Sequence, residues 1–307
     1  MSGWKPPRQK PIRKPPKKLV PVGIGNSIEQ EAFLKANPAR VKAIEDLYTT
    51  AKKVFLRKMQ SDKPADRVGF YLGRICVEDF SEIFVLAGNG HGVGALKILR
   101  GMYERAVTSA YILANPDQAD DFLEYDKVHK HKAYMHAKKL GEYGPNLSDE
   151  TIKRIEDDYE AVKPRFAKGS SVRGSWTALD TASLAQKVGP GFEQLYLDAF
   201  YKPTLEIHTT AASVMGRLEL TDRGILSFAS GPTRQQAGHA MIMAHNLLLR
   251  VLDSQNTHFK LGLDEALKGN LEVPKGLGAE GRFVLAANRW RSNAEARQLE
   301  KAAEVRI

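Results

Sequence analysis

The sequence predicts an all-α fold, a helical bundle preceded by a disordered basic arm, and three observations lead there. Apolar residues recur at helical spacing from Ser27 to about Asp253. The breaks between these runs fall at Asn-Pro, Gly-Pro and glycine-rich punctuation. No stretch alternates convincingly enough to supply a set of strands. At 307 residues the chain can bury a substantial core, and 42% hydrophobic with 27% charged residues is the usual balance of a globular protein.

The net charge of +10 is unevenly placed, because Lys5, Arg8, Lys10, Arg13, Lys14, Lys17 and Lys18 precede the first acid. Residues 1–25 combine these charges with prolines and offer little to bury, so they read as an extended, disordered arm. The expected organisation is this arm, a helical bundle over 26–255, and a loop with a C-terminal helix over 256–307. Within the arm, Lys10, Arg13, Lys14, Lys17 and Lys18 are candidates to contact nucleic acid, RNA ahead of DNA. A solubilising tail would have the same composition. No apolar run approaches the roughly 18 residues of a membrane span, and no signal core opens the chain, so a cytoplasmic protein without a membrane partner is expected. The single cysteine, Cys76, fits a reducing compartment and excludes zinc sites built on two thiolates.

Taken in order, Ser27 is placed as an N-cap with Gln30 three residues on. Asn37-Pro38 restarts the helix, which carries Ala43, Leu47 and Val54 to about Met59. Residues 65–87 are apolar around most of their circumference, with Arg74, Glu78 and Glu82 confined to one stripe, the pattern of a helix central in its bundle. Gly88-Asn89-Gly90-His91-Gly92-Val93-Gly94 reads as a sharp break, since alternate glycines raise the entropy lost on ordering. A third helix covers 95–114 and stops at Asn115-Pro116; a fourth runs from Asp117 to Leu140, with Phe122, Ala133 and Leu140 on one face. Ser148 caps a short charged helix that ends before Pro164. An irregular loop over 167–176 leads to Trp176, and Asp180 caps a brief helix that ends at Gly189-Pro190-Gly191. Residues 192–216 read as helix interrupted at Pro203, and Leu218 to Phe228 as a hairpin or a loop. Thr233 opens a long helix to about Asp253; 256–281 are loop-like, and 282–304 close with a polar helix.

Three constellations could carry chemistry. Arg100 and Glu104 stand one turn apart on an otherwise apolar helix, where they can pair. Arginine presents a planar fork for an anion, and the glycine run would shape the mouth of a pocket beside it. His208 lies on a later helix near Leu205 and Met215, and Glu104 or Glu206 could orient it for proton exchange. An internal ion pair and a core histidine are the competing readings. Second, Asp126, His129 and His136 share a helix face, while His131 points outward. No second carboxylate–histidine set accompanies them, so no metal is assigned. Third, Arg234 and His239 form an R-x4-H spacing at the start of the long helix, with Arg234 toward the apolar side and His239 about 140° away at ~100° per residue.

The positions Leu96-x2-Leu99-Arg100-x3-Glu104, Trp176, Leu184-Ala185, Tyr196, and His208 within Pro203-Thr204-Leu205-Glu206-Ile207-His208 resemble an uncharacterised bacterial helical family, domain of unknown function 5677. The likeness covers about residues 45–255. It implies a helical fold and a shared cluster of Arg100, Glu104, Trp176, Tyr196 and His208, with Thr204 where a serine is usual and Thr209 where proline is typical. The R-x4-H spacing is more distantly similar to HEPN ribonucleases, which cleave RNA without metal. That resemblance implies His239 at the ribose 2′-hydroxyl, Arg234 at the scissile phosphate, and a homodimer bringing two copies together.

The expectation is a bacterial cytosolic helical protein with an Arg100–Glu104–His208 pocket, an arm that contacts nucleic acid, and no cofactor. Two alternatives stay open: a HEPN-like metal-independent ribonuclease, and a non-enzymatic defence- or toxin-related scaffold. The residues leave both a catalytic and a non-catalytic use open.

Overall fold

The computed structural model describes residues 27–141, 147–208, 210–220, 224, 226–228 and 234–271. The basic arm and the expected C-terminal polar helix therefore lie outside the described residues. Those described are overwhelmingly helical, and the all-α reading is correct. The elements are α1 (Ser27–Ala36), α2 (Pro38–Phe55), α3 (Pro64–Gly88), α4 (Gly92–Ala114), α5 (Ala119–Lys139), α6 (Asp149–Val162), α7 (Thr181–Val188), α8 (Pro190–Glu193), α9 (Lys202–Ile207), α10 (Ala211–Met215), α11 (Arg234–Phe259) and α12 (Asp264–Leu271). A π-turn over Leu197–Tyr201 joins α8 to α9.

The core forms where α3, α4 and α11 pack along one another. Glycine makes that approach close. A Cβ at Gly69 would overlap the Leu113 side chain of α4, and one at Gly73 would lie 2.8 Å from Phe55 Cζ of α2 and 3.1 Å from Gln255 Nε2 of α11. The carbonyl of Gly69 accepts from Ser109 Oγ of α4 at 2.7 Å and from Gln255 Nε2 at 3.0 Å. One backbone oxygen thus ties three helices in a region that water does not reach. A second tie is ionic: Arg105 of α4 donates from Nε and Nη2 to the buried carboxylate of Asp79 on α3, at 2.8 and 2.6 Å. Burial pushes the Asp79 carboxyl up, against the pull of the Arg105 guanidinium.

Several boundaries differ from the sequence reading. The glycine run is largely helical: Gly88 ends α3, Gly92 and Gly94 open α4, and only Asn89–His91 connect them. Gly90 takes φ 81°, its N–H reaches Ala87 O at 3.0 Å, and His91 N–H reaches Leu86 O at 2.8 Å. This is a Schellman closure, which satisfies the last carbonyls of α3 and needs a left-handed residue where glycine stands. Pro203 does not interrupt the helix. It lies in the first turn of α9, directly after the π-turn. Its missing N–H and ring clash are absorbed by that change of register. The break comes instead at His208, whose backbone turns extended.

Ser148 and Asp180 cap α6 and α7 as the sequence indicated, accepting from Thr151 N–H at 3.3 Å and Ser183 N–H at 2.8 Å. The buried face of α5 is Tyr125, Val128 and Tyr134, whereas Ala133 and Leu140 are exposed. Phe166, carried just beyond α6, packs on Tyr125 and fixes that choice. His131 does not point outward; it stacks on Tyr159 of α6 with centroids 3.7 Å apart. Two short antiparallel hairpins appear, Ala167–Lys168 with Ser171–Val172, and Leu218–Leu220 with Leu226–Phe228. The first falls where the sequence pattern indicates irregular loop, and Gly169 at φ 59° makes its tight turn. Finally, α11 continues to Phe259 and α12 follows, where loop was expected. Asn256 organises this corner, accepting from Leu263 N–H at 2.9 Å and donating to Asp264 at 3.1 Å. No helix among the described residues is long and apolar enough to cross a membrane.

Gly69→Ala should cost about 1–3 kcal/mol through overpacking against Leu113, read by chemical denaturation. An unchanged midpoint would show that α3 and α4 do not meet this closely. A second expectation concerns acid. Burial alone would raise the Asp66 carboxyl, but the Ser61 hydroxyl and the His258 ring, whose Nε2 lies 2.7 Å from Oδ1, outweigh it and hold it below the carboxylate range. The native state then binds that proton less tightly than the unfolded chain does. Its contribution is full above the unfolded value near ~3.9 and is lost as pH falls through the folded one. Asp66→Asn should flatten this part of the stability–pH profile, and an unaltered acid limb would contradict the assignment.

Candidate functional site

Helix α4 buries Leu99, Met102, Tyr103 and Ala106, which leaves Arg100 and Glu104 at the edge of the packed face. The pair forms as their spacing indicated. Nη1 and Nη2 of Arg100 donate to the two oxygens of Glu104 at 3.2 and 3.3 Å, a fork-on-fork arrangement. Two further contacts come from about a hundred residues later. Arg100 Nε donates to Thr204 Oγ1 at 3.0 Å, and that hydroxyl donates to Phe200 O at 2.7 Å. The guanidinium lies over the Phe200 ring, 4.9 Å from its centroid.

The ring beneath Arg100 is itself held by aromatic packing. Phe200 packs on Tyr103 and Tyr196, at centroid separations of 5.8 and 5.3 Å. Tyr103 is fully buried, donates its hydroxyl to Phe192 O at 2.8 Å, and burial pushes its phenol up. The guanidinium therefore sits on a rigid platform, with the Arg100 side chain 26% exposed and Glu104 40%. Three of its five N–H groups are engaged, which leaves two donors. Close by in sequence, burial pushes the Glu206 carboxyl up, opposed by Arg217 and Lys97.

His208 occupies the C-cap of α9, its N–H reaching Thr204 O at 3.2 Å. Its side chain is exposed, and no hydrogen bond or ion pair among the described residues joins it to Arg100 or Glu104. His239 of α11 places Nε2 3.0 Å from Asp198 O in the π-turn. A carbonyl can only accept, so Nε2 carries the hydrogen of this bond. Arg234 begins α11, and its side chain lies outside the described residues, as do Lys10, Arg13, Lys14, Lys17 and Lys18. Tyr196 joins the platform, whereas Trp176 packs between Tyr111 and Phe122 at 6.1 and 5.5 Å.

On α5, Asp126 pairs with Lys130 at 2.6 Å and His129 meets the Tyr125 ring edge-on. Among the described residues no three or more His, Cys, Asp or Glu side chains gather as a metal site would need. Cys76 is buried against Met102 O, and burial pushes its thiol up, which suppresses the thiolate. The glycine turn stands off from Arg100: Arg100 is eight positions beyond Gly92 in α4, about 12 Å along the axis. A cleft of about 200 Å³ opens elsewhere, lined by Gly191, Gln194, Leu195, Asn246, Leu249 and Arg250.

Phe200, Tyr103 and this cleft were not anticipated. Phe200 and Tyr103 look like ordinary core aromatics in one dimension, and nothing in their spacing ties either to Arg100.

Fold and site together define an all-helical protein with a clamped, partly exposed arginine where α4 meets the π-turn and α9. Residues 66–225 match a family of unknown function (DUF5677), and because this is more than half of the chain, the protein belongs to that family. The matched stretch runs from α3 to the second hairpin, so it includes Arg100, Glu104, Thr204 and His208 and stops short of α11. No curated protein and no solved structure matches the chain.

Arg100→Ala should leave the far-UV circular dichroism spectrum intact and cost about 1 kcal/mol, the sum expected of one partly exposed ion pair and one cation–π contact. Loss of several kcal/mol would mark the pair as a structural element of the bundle.

Proposed function

We propose that this protein is an anion-binding helical module: Arg100, oriented by Glu104, receives an anionic group of its ligand, and the basic N-terminal arm contacts nucleic acid, RNA ahead of DNA. One observation carries the reading. The Arg100 guanidinium is fixed by Glu104, Thr204 and the Phe200 ring, yet keeps two donors and a quarter of its surface exposed. A guanidinium held this way has lost its rotamer freedom before a ligand arrives, so binding an oxyanion costs less ordering entropy. His208, exposed one turn beyond Thr204, is assigned the proton exchange in this reading. The positive charge of residues 1–25 supports the nucleic-acid half, since such a segment gains affinity by releasing counterions from phosphates.

The test is a salt titration of single-stranded RNA and duplex DNA binding. It compares the wild-type chain, Arg100→Ala, and a full-length variant with Lys10, Arg13, Lys14, Lys17 and Lys18 all changed to Gln. Neutralising the arm should lower the salt slope by about 3.5 if all five residues contact phosphates on a single strand. Arg100→Ala should weaken RNA binding about tenfold with the slope little changed. Binding that vanishes with the arm and ignores Arg100 would leave a scaffold with a cationic leader. RNA cleavage that is lost in a folded His239→Ala variant would instead place the chemistry at the start of α11.

A further inference from the structure

The cleft between α8 and α11 is built from other residues than the Arg100 site. We propose that it binds a small oxyanion-bearing molecule, a carboxylate or a phosphate, with Arg250 as the principal contact. Arg250 stands in an apolar setting. Around it α11 buries Leu247, Leu248, Leu249, Val251 and Leu252, so a single cation interrupts a fully packed run. Arg67, Arg100, Arg105 and Arg165 each pair with a carboxylate. Arg250 pairs with none among the described residues, although Asp253 follows three residues on in α11. All five of its N–H donors are left for a ligand.

The cleft also holds the side chain in place. A Cβ at Gly191 would lie 3.0 Å from Arg250 Nε and 3.1 Å from its Cδ and Cζ, so the absence of a side chain there gives the guanidinium stem its seat. Asn246, one turn before Arg250 on α11, and Gln194, just past α8, line the same space, and neither amide makes a side-chain hydrogen bond among the described residues. Leu195 and Leu249 supply apolar wall. An arginine fork with two flanking amides and an apolar floor matches an oxyanion on a short carbon frame. The volume of about 200 Å³ limits the ligand to a small molecule. A guanidinium and amides left without partners in a concave space would otherwise be satisfied only by water.

The experiment titrates the full chain with inorganic phosphate and, separately, with acetate at constant ionic strength, following both by NMR. At least one should bind saturably, and the tighter of the two assigns the ligand class. Arg250→Gln should weaken that binding tenfold or more. Arg250→Lys should restore part of it, Asn246→Ala should weaken it by a smaller factor, and Arg74→Gln, on the exposed stripe of α3, should leave it unchanged. An absence of saturable binding for both anions, or binding that survives Arg250→Gln, would overturn the proposal. Binding lost in Arg100→Gln but kept in the Arg250 variants would assign the anion to α4 and empty the cleft of this role.

Discussion

Everything in this fold is arranged around the close approach of α3, α4 and α11, and that approach depends on two glycines one turn apart. With hydrogen at Gly69 and Gly73, the backbone of α3 can sit against Leu113, Phe55 and Gln255. The Gly69 carbonyl, inside α3, also accepts from the buried Ser109 hydroxyl and Gln255 amide of two other helices. Because the cost of leaving a buried donor unpaired is about 1–3 kcal/mol, this small polar knot disfavours sliding of one helix past another. Asp79 and Arg105 add a directional constraint between α3 and α4, of a kind that leaves an uncompensated buried charge if either partner is removed.

The rotation of α4 set by this packing is what presents Arg100 and Glu104 at an edge while Tyr103 points inward. Tyr103 then becomes the underside of the platform on which Phe200 lies, and Phe200 becomes the surface on which the guanidinium lies. The π-turn is the local device that makes this possible. Its altered register accommodates Pro203 and directs Phe200 and Thr204 to the same side, so that one turn of chain contributes both a ring and a hydroxyl to Arg100. His239 grips the same turn from α11 through the carbonyl of Asp198. The segment between α8 and α9 is thus held from both of its neighbours in the core.

Much of this was legible in one dimension. The nearly all-round apolar character of residues 65–87 identified a central helix, and Arg74, Glu78 and Glu82 are indeed its exposed stripe. The caps at Ser148 and Asp180 were readable because a cap is a contact between residues three apart. The Arg100–Glu104 pair was readable for the same reason, at a spacing of four. The misreadings share an opposite cause. Glycine at 92 and 94 argues against helix locally, but tertiary packing outweighs a propensity of about 1 kcal/mol per residue. Asp79 lies off the Arg74–Glu78–Glu82 stripe and is buried against Arg105 of another helix, a pairing no local spacing announces. Ala133 and Leu140 were placed on the inner face of α5, because the position of Phe166 cannot be read from periodicity.

Periodicity, capping residues and proline positions, all of them local, were enough to establish a helical bundle, its central helix and a charged pair one turn apart. Which residues surround that pair was a matter of tertiary structure alone. Thr204 and Phe200 reach Arg100 across roughly a hundred residues, and Gly191 meets Arg250 across nearly sixty. Contacts at such separations follow from how whole helices rotate and close upon one another, and that rotation is decided by the summed burial of the core rather than by any short pattern.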